Sequence, residues 1–168
     1  MPTISEALAI AVQHHQAGRL QAAEQVYRQI LAVEPDHADA WHLLGVIANQ
    51  VGRREVAVQY IARAIALNGS VAAFHFNLGN AFKDYAKLDE AVVCYRRALE
   101  LKPEYAAAYS NLAHALNEQG KLDEAVACLR RAVELNPDLA AAHNNLGNAW
   151  RARRNSTRRS PATAGQSS

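Results

Sequence analysis

The chain repeats itself every 34 residues, and this period constrains the fold more than any other feature of the sequence. Residues that end helices recur at this spacing, at Pro35, Gly69, Pro103 and Pro137. Small residues recur at the same spacing in three further sets, which are Gly45, Gly79, Ala113 and Gly147; Ala57, Ala91 and Ala125; and Ala64, Ala98 and Ala132. A fixed period of about 20–50 residues is typical of arrays in which each repeat is a small unit that packs against its neighbours.

Each repeat carries the pattern of two short helices. In the fourth copy, Tyr109, Leu112 and Leu116 are spaced i, i+3, i+7, which places them on one helical face. Gly120 is predicted to end this helix, and Asp123 is predicted to cap the next one. Aromatic residues make up only 7% of the chain and alanine is abundant, a composition that favours closely packed helices over sheets. The sequence therefore predicts an all-α protein built of helical hairpins.

The two most regular copies, KLDEAVVCYRRALELKP and KLDEAVACLRRAVELNP, resemble the tetratricopeptide repeat. The resemblance extends over about residues 4–153. It implies an α-solenoid, in which helix-turn-helix units stack into a right-handed superhelix. With the periodic Pro and Gly residues as markers, the predicted units are 4–37, 38–71, 72–105 and 106–139, followed by a partial unit over 140–153.

The first residues predict the start of a helix. Thr3 and Glu6 match a capping box, in which each side chain accepts a hydrogen bond from the other residue's backbone N–H. The stretch has no basic segment, and its apolar run from Ala7 to Val12 is too short for a signal peptide or a membrane span. We therefore expect a cytoplasmic location and no membrane partner.

Residues 154–168 depart from the repeat pattern. All 16 acidic residues lie within 1–150, whereas 151–168 carry five arginines and no acid. Permitted codons for 155–168, read one base earlier, encode ELDEAVACYRRAVE, which matches residues 121–134 at 12 of 14 places. We therefore interpret 154–168 as a disordered basic tail produced by a frameshift, and expect the intact gene to continue into further repeats. The alternative is a disordered tail that binds nucleic acid through its arginines; under the first interpretation no specific nucleic acid partner is expected.

The break in the pattern also removes the second helix of the fifth unit. Leu146 and Trp150, which that helix would cover, are expected to be partly exposed, as is the fourth unit's second helix around Leu129 and Val133. End repeats without a polar cap tend to associate. We therefore expect 140–153 to be a frayed helix and the chain to self-associate end to end.

Polar residues recur on one face of the first helices. They occupy two positions one turn apart, and they are Asn77, Asn111 and Asn145 at the first position and Asn80, His114 and Asn148 at the second. An asparagine amide offers both a donor and an acceptor, so a row of asparagines suits a peptide backbone of any sequence. The alternative is that these residues are solvated and neutral. Since asparagine is a mediocre helix former, its recurrence favours a binding role.

The segments NLGNAF and NNLGNAW, with LDEAVVCYRRALELKP between them, are similar to the repeats of protein O-linked N-acetylglucosamine transferases. This resemblance implies that Asn77, Asn111 and Asn145 hold extended polypeptide on the concave face. Leu43 stands at the equivalent position of the second unit, so the row is expected to fade towards the N-terminus. In that family, a catalytic domain that follows the repeats transfers the sugar from UDP-N-acetylglucosamine, and such a domain is absent from this chain.

The sequence carries no HExxH, CxxC or phosphate-loop motif. Cys94 and Cys128 lie one repeat apart, too far for a disulfide, and are expected to be reduced. His75 and His143 share the repeat position of Trp41, which favours packing over metal binding. No cofactor, metal site or enzymatic activity is therefore predicted.

We predict a protein-interaction module that binds a protein or peptide in extended conformation on its concave face. The alternative is a substrate-recognition fragment of a protein O-linked N-acetylglucosamine transferase whose catalytic domain is lost by truncation.

Overall fold

The computed structural model describes residues 3–159, with side chains described for 3–155. Every regular element in this range is an α-helix. The first helices of the hairpins have 13 residues each and are α1 (Ile4–Gln16), α3 (Ala38–Gln50), α5 (Ala72–Asp84) and α7 (Ala106–Glu118). The second helices have 14 residues each and are α2 (Leu20–Val33), α4 (Arg54–Leu67), α6 (Leu88–Leu101) and α8 (Leu122–Leu135). The last described helix, α9 (Ala140–Arg159), has 20 residues and is the first helix of the fifth, partial unit, since it begins 34 residues after α7.

The chain forms two compact units, which meet in sequence between Pro103 and Glu104. In the first unit, α1 packs on α2, α3 on α4 and α5 on α6, and successive hairpins join through α2 with α3 and α4 with α5. In the second unit, α7 packs on α8, and α9 packs on both. The prediction of an all-α protein made of helix-turn-helix repeats is confirmed.

The turn inside each hairpin requires a residue with left-handed backbone geometry. Gly18, Gly52 and Gly120 occupy this position with φ values of 73°, 78° and 77°. Glycine adopts this geometry without the steric cost that a Cβ atom imposes. The equivalent residue between α5 and α6 is Ala86, with φ 60°. This turn therefore carries backbone strain that the glycine turns avoid.

The helix starts agree with one predicted cap and correct another. Thr3 Oγ1 accepts from the Glu6 N–H at 3.2 Å, and a Glu6 carboxylate oxygen accepts from the Thr3 N–H at 2.8 Å, so the capping box is present. The predicted cap at Asp123 is wrong. The N-cap residue of α8 is Lys121, without a side-chain hydrogen bond, and Asp123 lies in the first turn. Its carboxylate instead pairs with Arg153 Nε at 2.8 Å.

The periodic small residues allow the two helices of a hairpin to approach closely. Gly79 in α5 faces the ring of Tyr95 in α6, and a Cβ atom at Gly79 would lie 2.6 Å from Tyr95 Cε1. In the preceding hairpin, Gly45 in α3 faces Ile61 in α4 in the same way. Tyr95 and Ile61 are fully buried. These two hairpins therefore pair a small residue on the first helix with a large one on the second.

A ring nitrogen ties each of three first helices to the loop before it. Since a backbone carbonyl only accepts, the ring N–H is the donor in each bond. The bonds run from Trp41 Nε1 to the Pro35 oxygen at 2.8 Å, from His75 Nε2 to the Gly69 oxygen at 2.9 Å, and from His143 Nε2 to the Pro137 oxygen at 2.7 Å. The two histidines therefore serve the same structural role as the tryptophan.

Helix α9 differs from the prediction for residues 140–159. The expected fraying over 140–153 is not observed, because Ala142 and Ala149 are buried in a regular helix that packs on α7 and α8. The helix also continues past residue 154 to Arg159, where a disordered tail was expected. Arg154 occupies the repeat position of Gly120, so the left-handed turn is missing and the helix does not end there. The rest of the predicted tail, 160–168, lies outside the described residues.

Burial at this end of the chain agrees only in part with expectation. Trp150 is 43% exposed, and Leu146 is half-buried, as predicted. Leu129 is 1% exposed, so the expectation that it would be bare is wrong. The reason is that α9 packs directly on α8. None of the helices within 3–159 is both long and apolar enough to cross a membrane.

Candidate functional site

In the first unit, two predicted binding residues belong to a chain of hydrogen bonds. Asn77 Nδ2 donates to His42 Nε2 at 2.8 Å. Asn77 Oδ1 accepts from Asn80 Nδ2 at 3.4 Å, and Asn80 Oδ1 accepts from the Tyr95 hydroxyl at 2.8 Å. These hydrogen bonds join α3, α5 and α6. The two asparagine side chains are therefore held in fixed orientations by their neighbours.

His42 belongs to this row of hydrogen bonds, and sequence reasoning missed it. Its side chain is buried in α3 and stacks on the Phe74 ring, with 4.5 Å between the ring centroids. Burial lowers its pKa from 6.5 to about 4; the smaller effect of Asp39 opposes this change and that of His15 adds to it. The imidazole is therefore neutral near pH 7, and its Nε2 can accept the hydrogen from Asn77.

The polar face of the first unit begins at α5. In α3, the positions equivalent to Asn77 and Asn80 are held by Leu43 and Val46, which are both half-buried. The asparagine row therefore stops between α5 and α3, where the surface changes from polar to apolar.

In the second unit, three of the predicted residues line one cavity of about 130 Å³ between α7, α8 and α9. Its lining is formed by Ala113, His114, Asn117, Leu129, Asn145 and Asn148. The predicted residue Asn111 is half-buried in α7 and is not part of this lining. The structure thus brings His114, Asn145 and Asn148 together and adds Asn117, which sequence reasoning missed.

Asn117 lines this cavity, and its side-chain oxygen is buried, as is that of Asn49. Asn117 Oδ1 is shielded from solvent and has no hydrogen-bond partner within the described part of the chain. Leaving a buried polar atom unpaired costs about 1–3 kcal/mol. A sequence signal for this residue does exist, since Asn49 stands at the same repeat position, but recurrence at two places did not separate it from the solvated polar residues.

A basic cluster surrounds the exposed ring of Trp150. The guanidinium carbons of Arg130 and Arg153 lie 5.5 Å and 5.4 Å from the ring centroid, within cation–π range. Arg153 also pairs with Asp123. The groove beside the ring is lined by Trp150, Arg151, Arg153 and Arg154. These contacts hold α9 against α8 just before the residue where the repeat pattern breaks.

The cysteines and the acidic and histidine side chains show no metal-binding arrangement among the residues described. Burial raises the pKa of Cys94 to about 11, so its thiol is protonated near pH 7 and is a weak nucleophile. Cys128 is half-buried. No group of three or more His, Cys, Asp or Glu side chains lies close enough to hold a metal ion within 3–155.

Helical hairpins that recur every 34 residues and pack against their neighbours define the class of helical-repeat proteins. Family models place this chain more narrowly. A tetratricopeptide repeat model matches residues 8–70, and a TPR repeat model matches residues 87–120 and 113–150. The chain therefore belongs to the tetratricopeptide-repeat family.

Solved structures of several repeat proteins are similar to this chain. MamA matches with a TM-score of 0.78 and 21% identity over 89% of this chain and 82% of its own. YrrB, a TPR protein with an unusual peptide-binding site, matches with a TM-score of 0.74 and 21% identity over 89% of this chain and 77% of its own. These two likenesses show the fold.

A third structure, a mutant of the Thermobaculum terrenum O-GlcNAc transferase, has a TM-score of 0.75 and 28% identity over 80% of this chain. The match spans 27% of that transferase. Comparison with curated proteins gives no match.

Proposed function

We propose that the chain is a protein-interaction module whose first helices bind polypeptide in extended conformation. The observation that carries the proposal is the clustering of neutral amide side chains on these helices. In the second unit, Asn117, Asn145 and Asn148 meet at one cavity. In the first, Asn77 and Asn80 are joined by a hydrogen bond.

The hydrogen bonds of Asn77 leave it complementary to a peptide group. An asparagine amide has two N–H donors and an oxygen that accepts two hydrogen bonds. His42 takes one donor and Asn80 uses one acceptor position. One donor and one acceptor remain, and these are the partners that a peptide C=O and N–H require. Because the side chain is already oriented, a peptide bound there loses less conformational entropy in forming these bonds.

The test is binding of peptides selected by display on the full chain. Asn77→Ala in the first unit and Asn145→Ala in the second are each expected to weaken binding about two- to tenfold, the range for one lost hydrogen bond. Helical content should not fall, since alanine is the better helix former. The control is Gln59→Ala on the exposed face of α4, which should bind like the unmodified chain. Equal affinities for all four proteins would contradict the proposal.

A second candidate is that these repeats select substrates for a protein O-linked N-acetylglucosamine transferase. It is supported by the 28% identity to the Thermobaculum terrenum enzyme over 80% of this chain. The frameshift interpretation of residues 154–168 belongs to this candidate, and sequencing of the gene through codon 154 tests it. If the gene read one base earlier from codon 154 encodes no further repeat, the frameshift interpretation is wrong and no longer supports this candidate. The chain itself is expected to transfer no sugar from UDP-N-acetylglucosamine.

A further inference from the structure

The end of α9 carries a basic and aromatic surface that the preceding first helix, α7, lacks. Leu116 of α7 stands at the repeat position of Trp150 and is buried, whereas Trp150 is 43% exposed. Neutral residues of α7 and its turn stand at the positions of three arginines; they are Asn117, Gln119 and Gly120 at the positions of Arg151, Arg153 and Arg154. The clustering of these charges around an exposed ring is therefore not explained by the packing of the repeat.

These side chains border a groove that is separate from the asparagine cavity. Its lining is formed by Trp150, Arg151, Arg153 and Arg154, and its volume of about 570 Å³ lies within the range of about 300–1,000 Å³ that is usual for ligand sites. Among the described residues, neither an acidic side chain nor a residue of the asparagine cavity lines it. The groove therefore offers an apolar ring and positive charge to a ligand.

The structure already contains a carboxylate bound to this cluster. Arg153 Nε donates to a carboxylate oxygen of Asp123 at 2.8 Å, and the Asp123 side chain is 82% exposed. A guanidinium has five N–H donors, and the bond from Nε uses one of them. Since exposed ion pairs contribute little to stability, a carboxylate from a partner can join or replace that of Asp123.

Two observations favour the carboxylates of a polypeptide over a nucleic acid strand. Arg130 and Arg153 both lie over the Trp150 ring, so a base that stacks there competes with a guanidinium. Residues 1–150 carry 16 acidic residues against 13 basic ones, a net negative charge that repels a long phosphate backbone. A short acidic segment reaches the arginines without extending over the acidic repeats.

We propose that the groove at the end of α9 binds a short acidic segment of a partner protein, whose Asp or Glu carboxylates accept hydrogen bonds from Arg151, Arg153 and Arg154. The methylene groups of the same acidic side chains pack on the Trp150 ring. The proposal is independent of peptide binding by the asparagines, because the two surfaces share no described lining residue. It is also independent of the origin of residues 154–168, since Trp150, Arg151 and Arg153 precede them.

The experiment follows the two tryptophan indole N–H signals in NMR spectra of the ¹⁵N-labelled full chain at a fixed protein concentration. A short peptide of alternating glutamate and alanine, acetylated and amidated, is compared with the same peptide carrying glutamine in place of glutamate. The glutamate peptide should shift the Trp150 signal and bind about tenfold tighter than the glutamine peptide, as one hydrogen bond between charged groups predicts. The signal of Trp41, whose Nε1 donates to the Pro35 oxygen in the first unit, should stay unchanged.

Two sets of variants locate the site. Arg151→Ala combined with Arg154→Ala should weaken binding of the glutamate peptide about tenfold. The control, Arg54→Ala combined with Arg96→Ala, removes the same charge from exposed positions of the first unit and should leave the affinity unchanged. An equal loss in both double variants would reduce the effect to net charge and contradict the site. Asp123→Asn removes the intramolecular partner of Arg153, so it should tighten binding about two- to threefold.

The remaining outcomes would also overturn the proposal. Equal binding of the glutamate and glutamine peptides, or no binding up to about 1 mM, would show that the groove does not recognise carboxylates. Tighter binding of a single-stranded oligothymidylate of equal charge would assign the groove to nucleic acid. A Trp150 signal that shifts only with protein concentration, and not with peptide, would mean that a second copy of the chain occupies the groove.

Discussion

His42 should make the stability of the protein depend on pH between about 7.5 and 5. Burial against Phe74 lowers its pKa from 6.5 to about 4, an effect larger than those of Asp39 and His15. Between these two values the unfolded chain binds a proton at this residue and the folded chain does not. Stability therefore rises with pH across this window, and it is lost as pH falls from the unfolded pKa towards the folded one.

The size of the effect follows from the two pKa values. Their difference corresponds to a maximum of about 3 kcal/mol. At pH 5 the unfolded residue is almost fully protonated while the folded one is largely neutral, so the loss relative to pH 7.5 is about 2 kcal/mol. Protonation would also turn His42 Nε2 into a donor, which ends its hydrogen bond with Asn77 Nδ2. Loss of peptide binding at Asn77 should therefore begin at lower pH than the loss of stability, because the folded His42 is protonated only near its pKa of about 4.

The assay is urea unfolding of the unmodified chain and of His42→Phe at pH 7.5 and pH 5. Phenylalanine already occupies this repeat position at Phe76, where it packs against Tyr95 with 6.0 Å between ring centroids. The two proteins share every other titrating group, so the difference between their pH dependences isolates His42. We expect the unmodified chain to lose about 2 kcal/mol more than the variant. Equal losses would refute the assignment of a buried, neutral histidine.

Five further substitutions test three other features. Ala86→Gly should raise the free energy of unfolding by about 1 kcal/mol, because it relieves the left-handed strain, and Gly120→Ala should lower it by a similar amount. Changes of the same sign in the thermal midpoints of the two variants would contradict this. Tyr27→Phe removes a buried hydroxyl that has no partner and should be stabilising, whereas Tyr95→Phe loses a bond to Asn80 and should cost about 1 kcal/mol. Trp150→Ser should reduce association in sedimentation experiments, and unchanged association would mean that the exposed ring is not the contact.

Sequence reasoning succeeded where the determinants are local. The 34-residue period predicted the helix-turn-helix repeats because residues that end helices, such as Gly120, recur at that spacing, and the capping box needs only Thr3 and Glu6. The same reasoning placed Trp150 at an exposed position. These features depend on residues that are close in the chain or related by the repeat.

The features that were missed depend on contacts between helices. The pairing of His42 with Asn77 joins residues 35 positions apart, and no periodic pattern distinguishes it, since His42 has no histidine at equivalent positions. Asp123 was predicted as a cap because its type suits that role, but the approach of α9 makes it a partner of Arg153. The cavity at Asn117 likewise exists only because α9 packs on α7 and α8.

The central claim, that asparagines on the first helices hold the bound polypeptide, is tested most directly by NMR of the asparagine side-chain amides. A display-selected, unlabelled peptide would be titrated into the ¹⁵N-labelled full chain. The account predicts that the amide signals of Asn77, Asn111 and Asn145 shift with peptide concentration, while those of Asn68 and Asn136, in the loops that follow α4 and α8, stay unchanged. Shifts confined to the loop asparagines or to the second helices would contradict it.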